Sequence, residues 1–145
     1  MLHRDLESLT PEARKMAEQF LNRCHVEGLN IAVTETKRDL EAQVVYFLRG
    51  RIPTDAKNIQ LLQDLGAKYA WRFTDGECKR KVTRTLNSNH LSGRALDIAV
   101  VNDGRLNWDF GGPEWLRALD IARSVGFSCG ADWQPPDYPH LEAVR

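Results

Sequence analysis

The clearest strand in the chain reads Arg94-Ala-Leu-Asp97-Ile-Ala-Val-Val101. Successive side chains of a strand point to opposite faces, so Leu96, Ile98 and Val100 share one apolar face. Asp97 lies on the other face between two alanines, which leave space around its carboxylate. A metal ion or a substrate needs such space, although an exposed acid on an edge strand gives the same pattern.

Outward from this strand, helices and strands occur in segregated runs. Thr10-Pro11-Glu12 joins a capping hydroxyl, a proline at the first helical position and an acid in the first turn, which predicts a helix that ends at Gly28. We further predict helices at 39–48, 54–70 and 113–126, strands at 30–34, 127–133 and 141–144, a turn at 102–104, and a hairpin or long loop at 71–87. The pattern indicates an α+β fold, a single small domain over residues 1–145 with a central antiparallel sheet and flanking helices.

Composition excludes several classes of partner. The chain has 145 residues, with 20 Lys and Arg balanced by 20 Asp and Glu, so we expect no nucleic-acid partner and no stable membrane association. The N-terminus has no apolar segment typical of a secretory signal, which predicts synthesis in the cytoplasm. Three cysteines far apart, without a CxxC pair, are typical of reduced thiols. We expect a monomer.

Two short segments carry residues that suit a catalytic metal. His90 precedes Asp97 by seven residues, and Ser92-Gly93 offers a turn that could bring the imidazole back toward the carboxylate. Asp137 and His140 lie near the other end of the chain. Imidazole and carboxylate together suit Zn²⁺, and three ligands leave a fourth position open for water. From the residues alone, His90 could equally be a surface or hydrogen-bonded histidine.

The spacing of these residues resembles one peptidase family. The pattern SxHxxGxAxD, followed by a distal DxPH element, resembles the zinc peptidases of the D-alanyl-D-alanine carboxypeptidase and phage L-alanyl-D-glutamate endopeptidase group, family M15. Its positions are filled by Ser88, His90, Gly93, Ala95 and Asp97, then by Trp133, Asp137, Pro139 and His140. Gly130-Ala-Asp132-Trp133 is similar to the Gly-Gly-Asp-Trp of the family, with Ala131 as a departure.

The resemblance implies a hedgehog/DD-peptidase-like fold and a zinc centre. It assigns the zinc ligands to His90, Asp97 and His140, and the general base and acid to Asp137. An amide is a poor electrophile, and zinc both activates water and polarises the carbonyl oxygen, so the chemistry suits these residues.

The resemblance also implies substrate contacts. The segment 33–38 is similar to the one that carries the substrate arginine of the family, so Arg38 would polarise the scissile carbonyl or bind a substrate carboxylate. Ser88 would line the site, and Trp133 would form a wall of the cleft. Without the family, Arg38 would be interpreted as a surface arginine. The segment 53–81 is longer than the usual connection and is interpreted as an insertion or lid.

The implied function is hydrolysis of peptidoglycan stem peptides at the L-Ala-D-Glu bond by a phage or prophage endolysin. The protein would reach the periplasmic wall through a holin-type lesion. Three alternatives stay open: a D-Ala-D-Ala carboxypeptidase, a non-catalytic module that binds wall peptides, and a structural zinc protein with Cys129 as a fourth ligand.

Overall fold

The computed structural model describes residues 3–53, 55–69, 71–81 and 88–144. The chain divides into two compact units. We call His3–Lys37 with Ser92–Arg145 the sheet unit, and Arg38–Leu91 the helical unit.

The sheet unit contains a five-stranded sheet in which every pairing is antiparallel. Its strands are β1 (Ile31–Glu35), β2 (Ala95–Asn102), β3 (Arg105–Asn107), β4 (Phe127–Cys129) and β5 (His140–Ala143). The order is β1-β2-β5-β4, and β3 pairs with β2 through the turn at Asp103-Gly104. The predicted central antiparallel sheet with helices is confirmed, and β2 is an inner strand rather than an edge.

Two helices cover the sheet and bury its apolar face. They are α1 (Pro11–Val26) and α5 (Pro113–Ser124). Thr10 caps α1 as predicted, because its hydroxyl accepts a hydrogen bond from the Ala13 amide. The largest buried side chains of the core are Phe20, Leu96, Ile98, Val100, Trp115, Leu119 and Leu141. Leu96, Ile98 and Val100 therefore point into this core, so the side chain of Asp97 lies on the opposite face of β2.

The helical unit has its own, smaller core. It contains α2 (Leu40–Leu48), α3 (Ala56–Ala67) and α4 (Asp75–Cys78). Its buried apolar residues are Ala42, Val45, Leu62, Tyr69, Phe73 and Cys78. The hairpin or loop predicted for 71–87 is corrected over 71–81, where Thr74 and Glu77 form a capping box that starts a one-turn helix. Residues 82–87 lie outside the described part of the chain.

The strand predicted at 127–133 ends earlier than expected. After Cys129 the backbone turns into a 3-10 turn at Gly130–Asp132. The physical reason is Gly130, whose carbonyl accepts hydrogen bonds from the amides of Trp133 and Asp137. These two bonds fold the segment back on itself and lead the chain into β5.

Candidate metal centre

Asp97 and His140 are brought together by the sheet. They are direct partners across β2 and β5, and the register places both side chains on the face opposite the main core. His140 Nδ1 lies 3.4 Å from Asp97 Oδ1, and the two side chains are 7% and 24% exposed. The hydrogen-bond ladder fixes this pair, so the imidazole and carboxylate need no rearrangement to converge.

His90 belongs to a turn that precedes β2. Its amide donates a hydrogen bond to Ser88 Oγ at 3.2 Å, so Ser88 shapes the turn from within. Gly93 has a φ of 73°, a left-handed conformation that disfavours any residue with a Cβ. A Cβ at Gly93 would also lie 2.8 Å from the Ser8 carbonyl oxygen, while the Gly93 carbonyl accepts from the Thr10 amide at 2.9 Å. The glycine of the motif is therefore required for the turn that the sequence predicted.

The three expected ligands fit a metal ion. His90, Asp97 and His140 each offer one ligand atom, and these atoms all lie within 4.8 Å of one another. Two imidazole nitrogens and one carboxylate oxygen are a donor set that zinc accepts, and three protein ligands leave a coordination position open. His90 and His140 are both buried, which limits competition from bulk water.

The ring of His140 is restrained on two edges and one face. Nε2 lies 2.9 Å from Glu142 Oε1, while Nδ1 faces Asp97. The indole of Trp133 lies 4.8 Å from the imidazole, measured between ring centroids. Burial alone would lower the pKa of His140, but the hydrogen bonds to Asp97 and Glu142 and the negative charges of Asp97 and Asp137 outweigh burial, so its pKa is raised above the usual value.

Asp137 lies in the exposed loop that leads into β5. Its amide donates to the Gly130 carbonyl at 2.8 Å, and its own carbonyl accepts from the His140 amide at 3.2 Å. A Cβ at Gly130 would lie 2.2 Å from the Asp137 carbonyl oxygen and 3.0 Å from the His140 Cβ. Only glycine permits this close approach, so Gly130 sets the backbone position of Asp137 relative to His140.

Arg38 is buried in the helical unit and is not a surface arginine. Its Nη1 donates to Gln43 Oε1 at 2.7 Å, and its guanidinium lies 4.5 Å from the centroid of the Tyr46 ring. The Arg38 amide also donates to the His90 carbonyl at 3.0 Å. These contacts hold the guanidinium in one orientation, as a group that recognises a carbonyl or carboxylate requires.

Cys129 does not complete a closed zinc site among the described residues. Its Sγ lies 3.9 Å from the Leu119 carbonyl, and it is not part of the His90, Asp97 and His140 group. Burial raises the pKa of its thiol to about 11. The structural-zinc alternative is therefore not supported.

The comparison with protein families accounts for this site. The D-alanyl-D-alanine carboxypeptidase model of peptidase family M15 matches residues 81–143, a range that contains the three expected ligands and Asp137. The match covers less than half of the chain, so it shows that this part of the chain is similar to the M15 peptidases. M15 peptidases are zinc-dependent hydrolases, so zinc is the cofactor that the donor set accommodates.

A peptidoglycan endopeptidase resembles the chain over most of its length. The peptidoglycan L-alanyl-D-glutamate endopeptidase CwlK of Bacillus subtilis (strain 168) is 28% identical over 145 residues, which cover 94% of this chain and 74% of CwlK.

Solved structures show the same fold. The L-Ala D-Glu endopeptidase ChiX of Serratia marcescens superposes with a TM-score of 0.62 at 16% identity, over 99% of this chain and 89% of ChiX. The D,D-pentapeptidase VanY, solved with Zn(II), has a TM-score of 0.57 at 17% identity, over 94% and 73% of the two chains. The LD-carboxypeptidase LdcB has a TM-score of 0.56 at 23% identity, over 94% and 59%.

Some contacts of the site residues could not be read from the sequence. Gln43 and Tyr46 lie on α2, and nothing in their spacing indicates that they hold the guanidinium of Arg38. The hydrogen bond between His140 and Glu142 was indicated only by the alternation of side chains along β5, where residues two apart share a face.

Proposed function

We propose that this chain is a zinc peptidase that hydrolyses the stem peptides of peptidoglycan, at the L-Ala-D-Glu bond. The observation that carries the proposal is the open set of three ligand atoms within 4.8 Å, formed in a chain that is similar over 94% of its length to an L-alanyl-D-glutamate endopeptidase. We assign the ligands to His90, Asp97 and His140.

Asp137 is proposed to move the proton. Zinc, when bound, lowers the pKa of water to about 7 and polarises a carbonyl oxygen. The Asp137 carboxylate takes the proton of the attacking water as the C–O bond forms, and delivers it to the amine nitrogen as the C–N bond breaks. Gly130 supports this role, because it fixes the Asp137 backbone immediately before the ligand strand.

Substrate contacts are assigned to Arg38 and Trp133, and Ser88 is given a supporting role. Arg38 offers a fixed positive charge to the oxygen that becomes negative during attack, or to a substrate carboxylate. Gln43 and Tyr46 orient the guanidinium for either task. Trp133 is 37% exposed beside His140 and is proposed as the wall on which the peptide lies. Ser88 acts through the His90 turn, since its hydroxyl accepts from the His90 amide.

A D-Ala-D-Ala carboxypeptidase is the second candidate. The matching family model carries that description. Arg38 suits both reactions, because a terminal carboxylate and a D-Glu side chain are both anions.

The place of action is part of the same proposal. We propose a monomer that is made in the cytoplasm and reaches the periplasmic wall after holin-type release, as an endolysin of a phage or prophage. In the described part of the chain, none of the helices combines the length and apolar character needed to cross a bilayer.

Mass spectrometry of digested peptidoglycan tests the proposal. Purified Gram-negative sacculi are incubated with the zinc-loaded protein, with an EDTA-treated sample and with Asp137→Asn. Released stem peptides that begin at D-Glu, with L-Ala left on muramic acid, support the endopeptidase. Loss of only a terminal D-Ala indicates the carboxypeptidase. Binding to sacculi without zinc-dependent cleavage would instead indicate a non-catalytic wall-binding module.

A further inference from the structure

Glu142 is a partly buried acid next to the metal centre that the proposed reaction does not use. Its Oε1 lies 2.9 Å from His140 Nε2, and its side chain is 14% exposed. The opposite ring nitrogen, Nδ1, is the one that faces Asp97. The two nitrogens of one imidazole are therefore divided between a carboxylate on each side.

This division has a chemical consequence for the zinc-free protein. A neutral imidazole carries one proton, on either Nδ1 or Nε2, and only the nitrogen without the proton can bind a metal. An ionised carboxylate accepts hydrogen bonds and cannot donate them. Both carboxylates could accept a hydrogen bond from the ring, but Glu142 Oε1 is 2.9 Å from Nε2 whereas Asp97 Oδ1 is 3.4 Å from Nδ1. The shorter contact favours the proton on Nε2, which leaves the Nδ1 lone pair directed toward Asp97.

We propose that Glu142 is a positioning residue that selects the Nε2-protonated tautomer of His140 and so makes Nδ1 the zinc ligand atom. The inference rests on the proposed zinc site. A carboxylate behind a metal-bound imidazole also raises its basicity, and loss of such a partner typically weakens metal binding about 10- to 100-fold.

The sheet explains how Glu142 reaches the ring. His140 and Glu142 are two residues apart on β5, so their side chains share one face. Opposite Glu142 stand Ala95 on β2 and Ser128 on β4, both small side chains. A larger residue at position 95 would compete with the Glu142 side chain for the space beside the imidazole. Small neighbours thus let the carboxylate lie along its own strand.

The first test reads the tautomer directly. Long-range ¹H–¹⁵N NMR of the zinc-free protein at a pH where His140 is neutral distinguishes the two ring nitrogens. Wild type is expected to carry its proton on Nε2. Glu142→Gln keeps an acceptor and is expected to keep this tautomer, whereas Glu142→Leu is expected to lose the preference. A wild-type proton on Nδ1, or the same tautomer in Glu142→Leu, overturns the proposal.

The second test reads zinc affinity by competition with a chromogenic chelator. Glu142→Leu is expected to bind zinc about 10- to 100-fold more weakly and Glu142→Gln to fall between it and wild type. Glu12→Leu removes an exposed acid from α1 and is the matched control with unchanged affinity. Unchanged affinity in both Glu142 variants overturns the proposal.

Two failures of the experiment leave the proposal testable. If Glu142→Leu does not fold, the zinc affinity of Glu142→Gln and the tautomer of the wild-type protein still decide whether Glu142 has the proposed role. If wild type binds no zinc, the proposed function fails, whereas the tautomer still decides the role of Glu142.

Discussion

The sheet unit and the helical unit hold their polar residues by different means. In the sheet unit, Asp97 and His140 are fixed by a ladder of backbone hydrogen bonds above a large apolar core. In the helical unit, Arg38 is held by a side-chain amide and an aromatic ring, beside a smaller core. Sites built on strands are more precise than sites built on loops, and Arg38 lies in the connection between β1 and α2. We therefore expect the sheet unit to hold Asp97 and His140 rigidly for the metal, and the helical unit to orient Arg38 for the substrate.

His140→Ala is the most severe break of the sheet unit. It removes one of the three proposed metal ligands and the partner of Asp97, so we expect loss of both stoichiometric zinc and peptidase activity. Metal analysis after gel filtration and a stem-peptide cleavage assay measure the two losses. Full zinc content in this variant would contradict the ligand assignment.

Asp137→Asn separates metal binding from proton transfer. We expect zinc to be retained and kcat to fall by about 10²–10⁴, because the amide cannot take up the proton of water. Metal analysis and steady-state kinetics on a stem peptide measure this. Loss of zinc together with activity would make Asp137 a ligand rather than the base.

Arg38→Ala tests whether the helical unit serves the substrate. We expect kcat to fall by about 10²–10³ with unchanged zinc content. Arg51→Ala is the matched control, because Arg51 also stacks on a ring, with its guanidinium 4.1 Å from the Phe47 centroid. The control is expected to keep wild-type kinetics. Equal losses in the two variants would show only that the unit tolerates no loss of an arginine.

Gly130→Ala tests how closely the loop before β5 must pack. The new methyl group would meet the Asp137 carbonyl, so we expect about 1–3 kcal/mol of destabilisation and a loss of activity of about 10²-fold as Asp137 shifts. Gly111→Ala is the matched control, since no atom lies within 4 Å of a Cβ there. Thermal melts and kinetics measure both variants. Wild-type stability and activity in the Gly130→Ala variant would mean that the loop can shift to accommodate the methyl group.

Lowering the pH should weaken zinc binding. Zinc needs neutral imidazole, and the pKa of His140 is raised, so proton competition begins at a higher pH than for an ordinary histidine. The zinc-free protein should show the opposite trend: stability contributed by the raised pKa is present below the unfolded pKa and is lost as pH rises through the folded one. Chelator competition and denaturant titrations across pH check both signs. A zinc affinity independent of pH would contradict this.

Much of the sheet unit could be predicted, because its residues combine alternation with motif spacing. Leu96, Ile98 and Val100 identified β2, and the glycine after His90 indicated the turn. The helical unit was harder to predict. Its capping box at Thr74 and Glu77 is a local signal that was available but outweighed by the polar composition around it. The contacts of Arg38 depend on tertiary packing, which local spacing does not encode.

The order of the strands has a kinetic consequence. β5 follows β2 and β4 along the chain, yet it lies between them in the sheet. Pairing of residues distant in sequence is slow, because the entropy of closing the intervening loop opposes it. The insertion of β5 is therefore expected to come late in refolding, and the Asp97–His140 pair with it. The rate at which refolding chains bind zinc would then report the rate at which β5 enters the sheet.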